Sequence, residues 1–194
     1  NISILLDGIF EVAPKEKHFS EEDKKIIEKA FNFAKKAHEG HLRKSGEPYF
    51  IHCVETAKNI ARQNMDANTI AAGLLHDTLE DTDTSKESLE NEFGIEILTL
   101  VEGVSKLGTI KYKGVERHAE SMRKFFVALA DDIRVVVIKL CDRLHNVSTL
   151  EYIEEEKNIK INDSEIGYIA LHFGAALSRN DIKINQNTKN VILV

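Results

Sequence analysis

Ile133-Arg134-Val135-Val136-Val137-Ile138-Lys139-Leu140 is the stretch on which the fold turns. Taken alone, its run of β-branched residues suits a buried strand. The residues after it favour a helix. Lys139, Asp142, Asn146 and Thr149 follow at steps of 3, 4 and 3, which draws a polar stripe down one side of a helix. Leu140, Cys141, Leu144 and Val147 cover much of the remaining circumference. A helix apolar over most of its surface is buried, so the stripe can face a cavity. A solvated face would carry the same pattern.

Working back from this stretch, the chain reads as helix almost throughout, and its only prolines are Pro14 and Pro48. Ser20 is a good N-cap, Glu21, Glu22 and Asp23 suit a first turn, and Ile26, Ile27, Ala30, Phe31, Ala34 and Ala37 follow at helical spacing. Gly40 to Pro48 has the glycines and proline of a loop. His52 opens a further helix to about Asn64, and residues 67 to 79 form a mostly apolar one. Thr84 and Glu87 have capping-box spacing for another, ending near Phe93-Gly94. Residues 95 to 106 continue helically, and Gly108 and Gly114 then bracket a mobile basic loop carrying Lys106, Lys111, Lys113 and Arg117. The fold class expected is all-α.

With 194 residues, 42% hydrophobic and 30% charged, the chain can bury a core in one domain of ordinary size. Its 26 basic and 32 acidic residues leave a net charge of −6 with no basic tail or helical stripe, which speaks against a nucleic-acid partner. No apolar run approaches the roughly 20 residues of a membrane span, and the start lacks a signal peptide's basic opening. A soluble, cytoplasmic protein with no membrane partner is expected. Cys53 and Cys141 lie too far apart in sequence for a thiolate zinc motif and read as buried helix residues. The chain opens on Asn1, as a fragment or processed product would.

Chemistry concentrates in His76-Asp77-Thr78-Leu79-Glu80-Asp81, at the end of the apolar helix. At about 100° per residue, Glu80 and Asp81 lie one turn beyond His76 and Asp77, so all of these can face one cavity. Imidazole with carboxylate binds divalent cations, and an unbound carboxylate nearby can handle a proton. A plainer reading makes Asp77, Glu80, Asp81 and Asp83 a polar connection between helices. Asp81, Asp83, Ser85 and Glu92 also occupy calcium-loop positions, but Lys86 stands where that loop needs glycine. His52 alone suits a cap or a satisfied core histidine better than a ligand, and Arg43-Lys44 alone suits solvated charge.

Together these motifs form a pattern. His52, then His76-Asp77, then Asp142 has the order of the HD superfamily of metal-dependent phosphohydrolases. Arg43 to Tyr49, His76 to Asp81 and Asp132 to Asn146 resemble the hydrolase domain of the RelA/SpoT homologue family, which degrades the alarmones ppGpp and pppGpp. The resemblance covers roughly residues 20 to 153. It implies an HD-domain helical bundle at 20–155, after an N-terminal extension at 1–19 and before a C-terminal helix and tail at 156–194.

The resemblance also implies roles. His52, His76, Asp77 and Asp142 match the family's metal ligands, for Mn²⁺. Glu80 and Asp81 match the acidic pair of hydrolysis-competent members. Arg43, Lys44, Asn146 and Thr149 match positions that hold the guanine nucleotide, and Lys139 adds positive charge for the phosphates. The activity implied is hydrolysis of the alarmone 3′-diphosphate to pyrophosphate with GDP or GTP. Another nucleotide such as NADPH, or nucleotide sensing without turnover, are the alternatives. From about residue 159 the chain instead resembles the end of a PTS regulation domain, with His172 at the phosphorylated position. An amphipathic helix packing through Ile166, Ile169, Ala170, Phe173 and Leu177 is the preferred reading of that segment, over a phosphorylated His172.

Overall fold

A computed structural model describes residues 2–43, 45–108 and 131–149. Among these, every regular element is a helix: α1 Ile2–Glu11, α2 Glu21–Ala37, α3 Tyr49–Arg62, α4 Ala67–Leu75, α5 Thr78–Asp81, α6 Lys86–Gly108 and α7 Ile133–Ser148. Ile133–Leu140 is therefore the start of a helix. Asp132 caps it, its Oδ1 accepting from Arg134 N at 2.9 Å. Val135, Val136 and Ile138 are buried, which explains how apolar burial overrides strand propensity here. Lys44, the basic segment from residue 109 onward and the C-terminal stretch containing His172 lie outside the described residues.

The other helix boundaries have equally local causes. At α2, Ser20 Oγ accepts from Asp23 N at 3.1 Å and Asp23 Oδ2 accepts from Ser20 N at 2.9 Å, a reciprocal cap. Asp66 caps α4 by accepting from Thr69 N at 2.9 Å. The start of α6 departs from the expected Thr84 cap. Ser85 Oγ accepts from Ser88 N at 3.1 Å, because the Thr84 hydroxyl is already paired with that of Thr82 at 2.7 Å. Gly94, at φ 79°, breaks α6 where the sequence predicts a stop and restart.

α4 sits at the centre, with α2, α3, α6 and α7 packed around it. Its residues Ile70, Ala71, Ala72, Leu74 and Leu75 are fully buried. Gly73 is what lets α3 approach: a Cβ there would stand 2.2 Å from Ile60 Cδ1. The stretch set apart from the domain at 1–19 contains α1, which packs against α3 and buries Ile9 completely. No helix among the described residues is long and apolar enough to cross a membrane. Cys53 and Cys141 are buried and unbridged, and burial pushes both thiols up, Cys141 to about 12.

Candidate metal centre

Three helices and one break between helices deliver the charged side chains. His52 is not the opening residue of α3; the helix starts at Tyr49, which places His52 on its inner face at 2% exposure. α4 ends at Leu75, so His76 and Asp77 stand at the junction with α5 and not within one continuous helix. Asp142 comes from α7 and is 4% exposed. The polar stripe of α7 thus faces inward at Asp142.

His52, His76 and Asp142 each offer an atom within 4.8 Å of the others, a group able to hold a metal ion. His52 Nε2 lies 3.2 Å from Asp142 Oδ1, and His76 Nε2 lies 3.8 Å from the same oxygen. Asp77 lies beside this group of three, its Oδ2 2.9 Å from His76 Nε2 and 3.6 Å from His52 Nε2. His76 Nδ1 donates to Gly73 O at 2.8 Å, directing Nε2 at the carboxylates. That Nε2 is buried without a well-formed hydrogen bond, a costly arrangement unless something else meets it. An inward-facing imidazole nitrogen beside two carboxylates fits a divalent cation.

The electrostatics agree. Burial alone would lower the affinity of His76 for a proton, but Asp77 and Asp142 outweigh it and hold the ring at about 10. Burial likewise opposes ionisation of Asp77, yet His76 draws it down to about 2. Asp142 is held far below the usual carboxylate range, against burial, by His52, His76 and Lys139. The metal-free cluster thus keeps a proton where a cation would sit, and a cation entering there would have to displace it.

Around this core the remaining predicted residues divide. Asp81, itself exposed, is tied to the cluster: the Tyr49 hydroxyl lies 2.8 Å from Asp81 Oδ2 and 2.8 Å from Asp77 Oδ2. One hydroxyl proton serves one carboxylate at a time, so Tyr49 is a shared donor joining α5 to the cluster. Burial and the two carboxylates push its phenol far up, keeping it protonated. Glu80 is exposed and, with Asp81, lines a cleft of about 700 Å³ that also includes Lys36, His41, Thr84 and Ser88. Lys139 pairs with Asp142 Oδ2 at 2.9 Å. Arg43 Nη2 donates to Asn146 Oδ1 at 2.6 Å. Thr149 is turned to its own helix end, its hydroxyl donating to Asn146 O at 3.0 Å.

Two residues with a part in the cluster carry no role in the sequence reading. Tyr49 stands three residues before His52, and the His38 ring stacks flat on it at 5.1 Å. His145 stands three residues after Asp142, its Nδ1 2.7 Å from His52 Nδ1. Burial first, then His52 and Arg43, lower His145 to about 4, so it is a neutral acceptor. Helical spacing from the ligands is the signal that points to both.

The HD domain family model matches residues 30–167 of this sequence. The chain belongs to the HD domain family. Within that family it is 51% identical over 135 residues to a guanosine-3′,5′-bis(diphosphate) 3′-pyrophosphohydrolase of Aquifex aeolicus, covering 70% of this chain and 19% of that one. It is 45% identical over 143 residues to a GTP pyrophosphokinase of Myxococcus xanthus, covering 72% and 19%. The chain therefore spans about a fifth of the length of these curated relatives. A solved structure described as "A metazoan ortholog of SpoT hydrolyzes ppGpp and plays a role in starvation responses" superposes with a TM-score of 0.53 at 27% identity. That match covers 70% of this chain and 73% of the other.

Proposed function

We propose that this HD domain hydrolyses the 3′-diphosphate of ppGpp and pppGpp, consuming one water and giving pyrophosphate with GDP or GTP. The observation that carries the reading is the buried cluster in which His76 Nε2 faces the carboxylates of Asp77 and Asp142 beside His52. The relatives' names divide between this hydrolysis and GTP pyrophosphokinase. A kinase site is built from phosphate-cradling loops and oxygen-held Mg²⁺. Two buried imidazoles with two carboxylates suit Mn²⁺ or a similar cation and hydrolysis.

His52, His76, Asp77 and Asp142 would hold the cation. When bound, it supplies Lewis acidity and lowers the pKa of water. The chain's own groups do the rest. Asp81, joined to Asp77 through Tyr49, accepts the proton of the attacking water, and Glu80 beside it at the cleft orients that water. The Lys139 ammonium offsets the charge of Asp142. Arg43, Lys44, Asn146 and Thr149 contact the guanine nucleotide, a role that the pairing of Arg43 with Asn146 supports. Such a substrate fits a cytoplasmic enzyme.

The test compares ppGpp, pppGpp and NADPH as substrates of the purified chain with Mn²⁺, resolving products by anion exchange. Pyrophosphate with GDP from ppGpp, at a kcat/KM well above that for NADPH, is expected. Turnover of NADPH alone, or binding of ppGpp without turnover, would contradict the reading.

A further inference from the structure

Groups behind the metal ligands converge on one side chain, Arg43. Its Nη2 donates to Asn146 Oδ1 at 2.6 Å, and its Nη1 lies 3.3 Å from His145 Nδ1. Each of these partners touches a ligand. Asn146 Nδ2 donates to Asp142 Oδ1 at 2.7 Å, and His145 Nδ1 lies 2.7 Å from His52 Nδ1.

Donor and acceptor logic gives these contacts a direction. A guanidinium has N–H groups only, so Asn146 must turn its oxygen to Arg43 and its amide nitrogen to Asp142. His145 Nδ1 stands between two nitrogens, 3.3 Å from Arg43 Nη1 and 2.7 Å from His52 Nδ1, and so links Arg43 to the His52 ring. Held at Nδ1, the ring presents Nε2 to the cluster, 3.2 Å from Asp142 Oδ1.

We propose that Arg43 is a positioning residue for the metal centre, aiming Asp142 through Asn146 and steadying the His52 ring through His145. This deepens the proposed function and rests on its metal-centre part. Arg43 stands in the loop before α3, whereas Asn146 and His145 lie on α7. The loop expected to contact the nucleotide is therefore fastened to the helix that supplies Asp142.

Charge and orientation predict opposite signs. Removing a positive group near a cation site relieves repulsion and should tighten metal binding. Removing a group that orients the ligands should weaken it, typically by about 10- to 100-fold. The experiment is calorimetric titration of Mn²⁺ into the metal-free chain, without nucleotide, for the wild type, Arg43→Gln and Arg43→Lys. Both variants are expected to bind Mn²⁺ about 10- to 100-fold more weakly with an unchanged circular-dichroism spectrum. Lys keeps the charge but lacks the fork that reaches both partners. Should Arg43→Gln fail to fold, Asn146→Ala carries the same expectation by removing the link to Asp142. Equal or tighter binding by a folded variant overturns the role of Arg43 and leaves the metal centre standing. A wild type that binds no Mn²⁺ removes both.

Discussion

Gly73→Ala tests the packing that aims His76. Gly73 lies on α4, three residues before His76, and its carbonyl accepts from His76 Nδ1 at 2.8 Å. An added Cβ would meet Ile60 Cδ1 at 2.2 Å and Ala57 Cα at 3.8 Å. Ile60 is 0% exposed, so its methyl can move only among packed core neighbours. Alanine in place of a helical glycine gains roughly 0.5–1 kcal/mol, whereas overpacking a filled core costs about 1–3 kcal/mol. The overpacking wins, and a net loss of about 1 kcal/mol is expected.

The assay is urea unfolding in EDTA, with the midpoint and slope fitted together. Ile60→Val deletes the offending Cδ1 and alone should cost about 1 kcal/mol. Combined with Gly73→Ala, the new methyl enters the vacated space, so the double variant should be at least as stable as Ile60→Val alone. A Gly73→Ala protein as stable as the wild type, or a double variant showing simple additivity, would refute the reasoning.

Other perturbations have defined outcomes. Tyr49→Phe removes the donor shared by Asp77 and Asp81, and kcat should fall roughly 10- to 100-fold with little change in melting temperature; an unchanged kcat would show that the hydroxyl does not matter. Mn²⁺ at about 100 times its Kd should add about 2.7 kcal/mol of stability over EDTA, raising Tm by roughly 5–10 °C, and Asp142→Asn should abolish that shift. Hydrogen bonds from Arg134 hold the Asp132 carboxyl below its ordinary value, against burial. A lowered folded pKa gives stability that is present above the unfolded value of about 3.9 and lost as pH falls through the folded one. Asp132→Asn should therefore lower the urea midpoint at pH 7, with the gap to wild type closing below about pH 4; a gap that persists at low pH would assign the effect to something other than charge.

Much of this architecture is legible because local chemistry and global packing agree. Ser20 and Asp23 announce α2, and Gly94 announces the break in α6. The polar stripe after Leu140 resolves the β-branched run in favour of a helix. Elsewhere the deciding partner is distant in sequence. Nothing near Ile2–Glu11 reveals that Ile9 has a buried place against α3. The Thr84 cap fails because its hydroxyl is taken by Thr82, a competition that motif spacing does not register. At the site, side-chain type nominates His76 and Asp77, while His52 and Asp142 enter only through the motif order of the family resemblance. The supporting roles of Tyr49 and His145 depend on contacts 28 to 93 residues away in sequence. Lys139, read from its charge as a phosphate contact, is found paired with Asp142.

The most direct measurement follows pyrophosphate release from ppGpp as Mn²⁺ is titrated into metal-free enzyme, for the wild type and for Asp142→Asn. The wild type should show saturable turnover that EDTA abolishes, and Asp142→Asn should lose at least about 100-fold in kcat/KM, with its fold retained. Pyrophosphate release that survives EDTA, or that Asp142→Asn leaves intact, would contradict a hydrolase built on the His52, His76, Asp77 and Asp142 cluster.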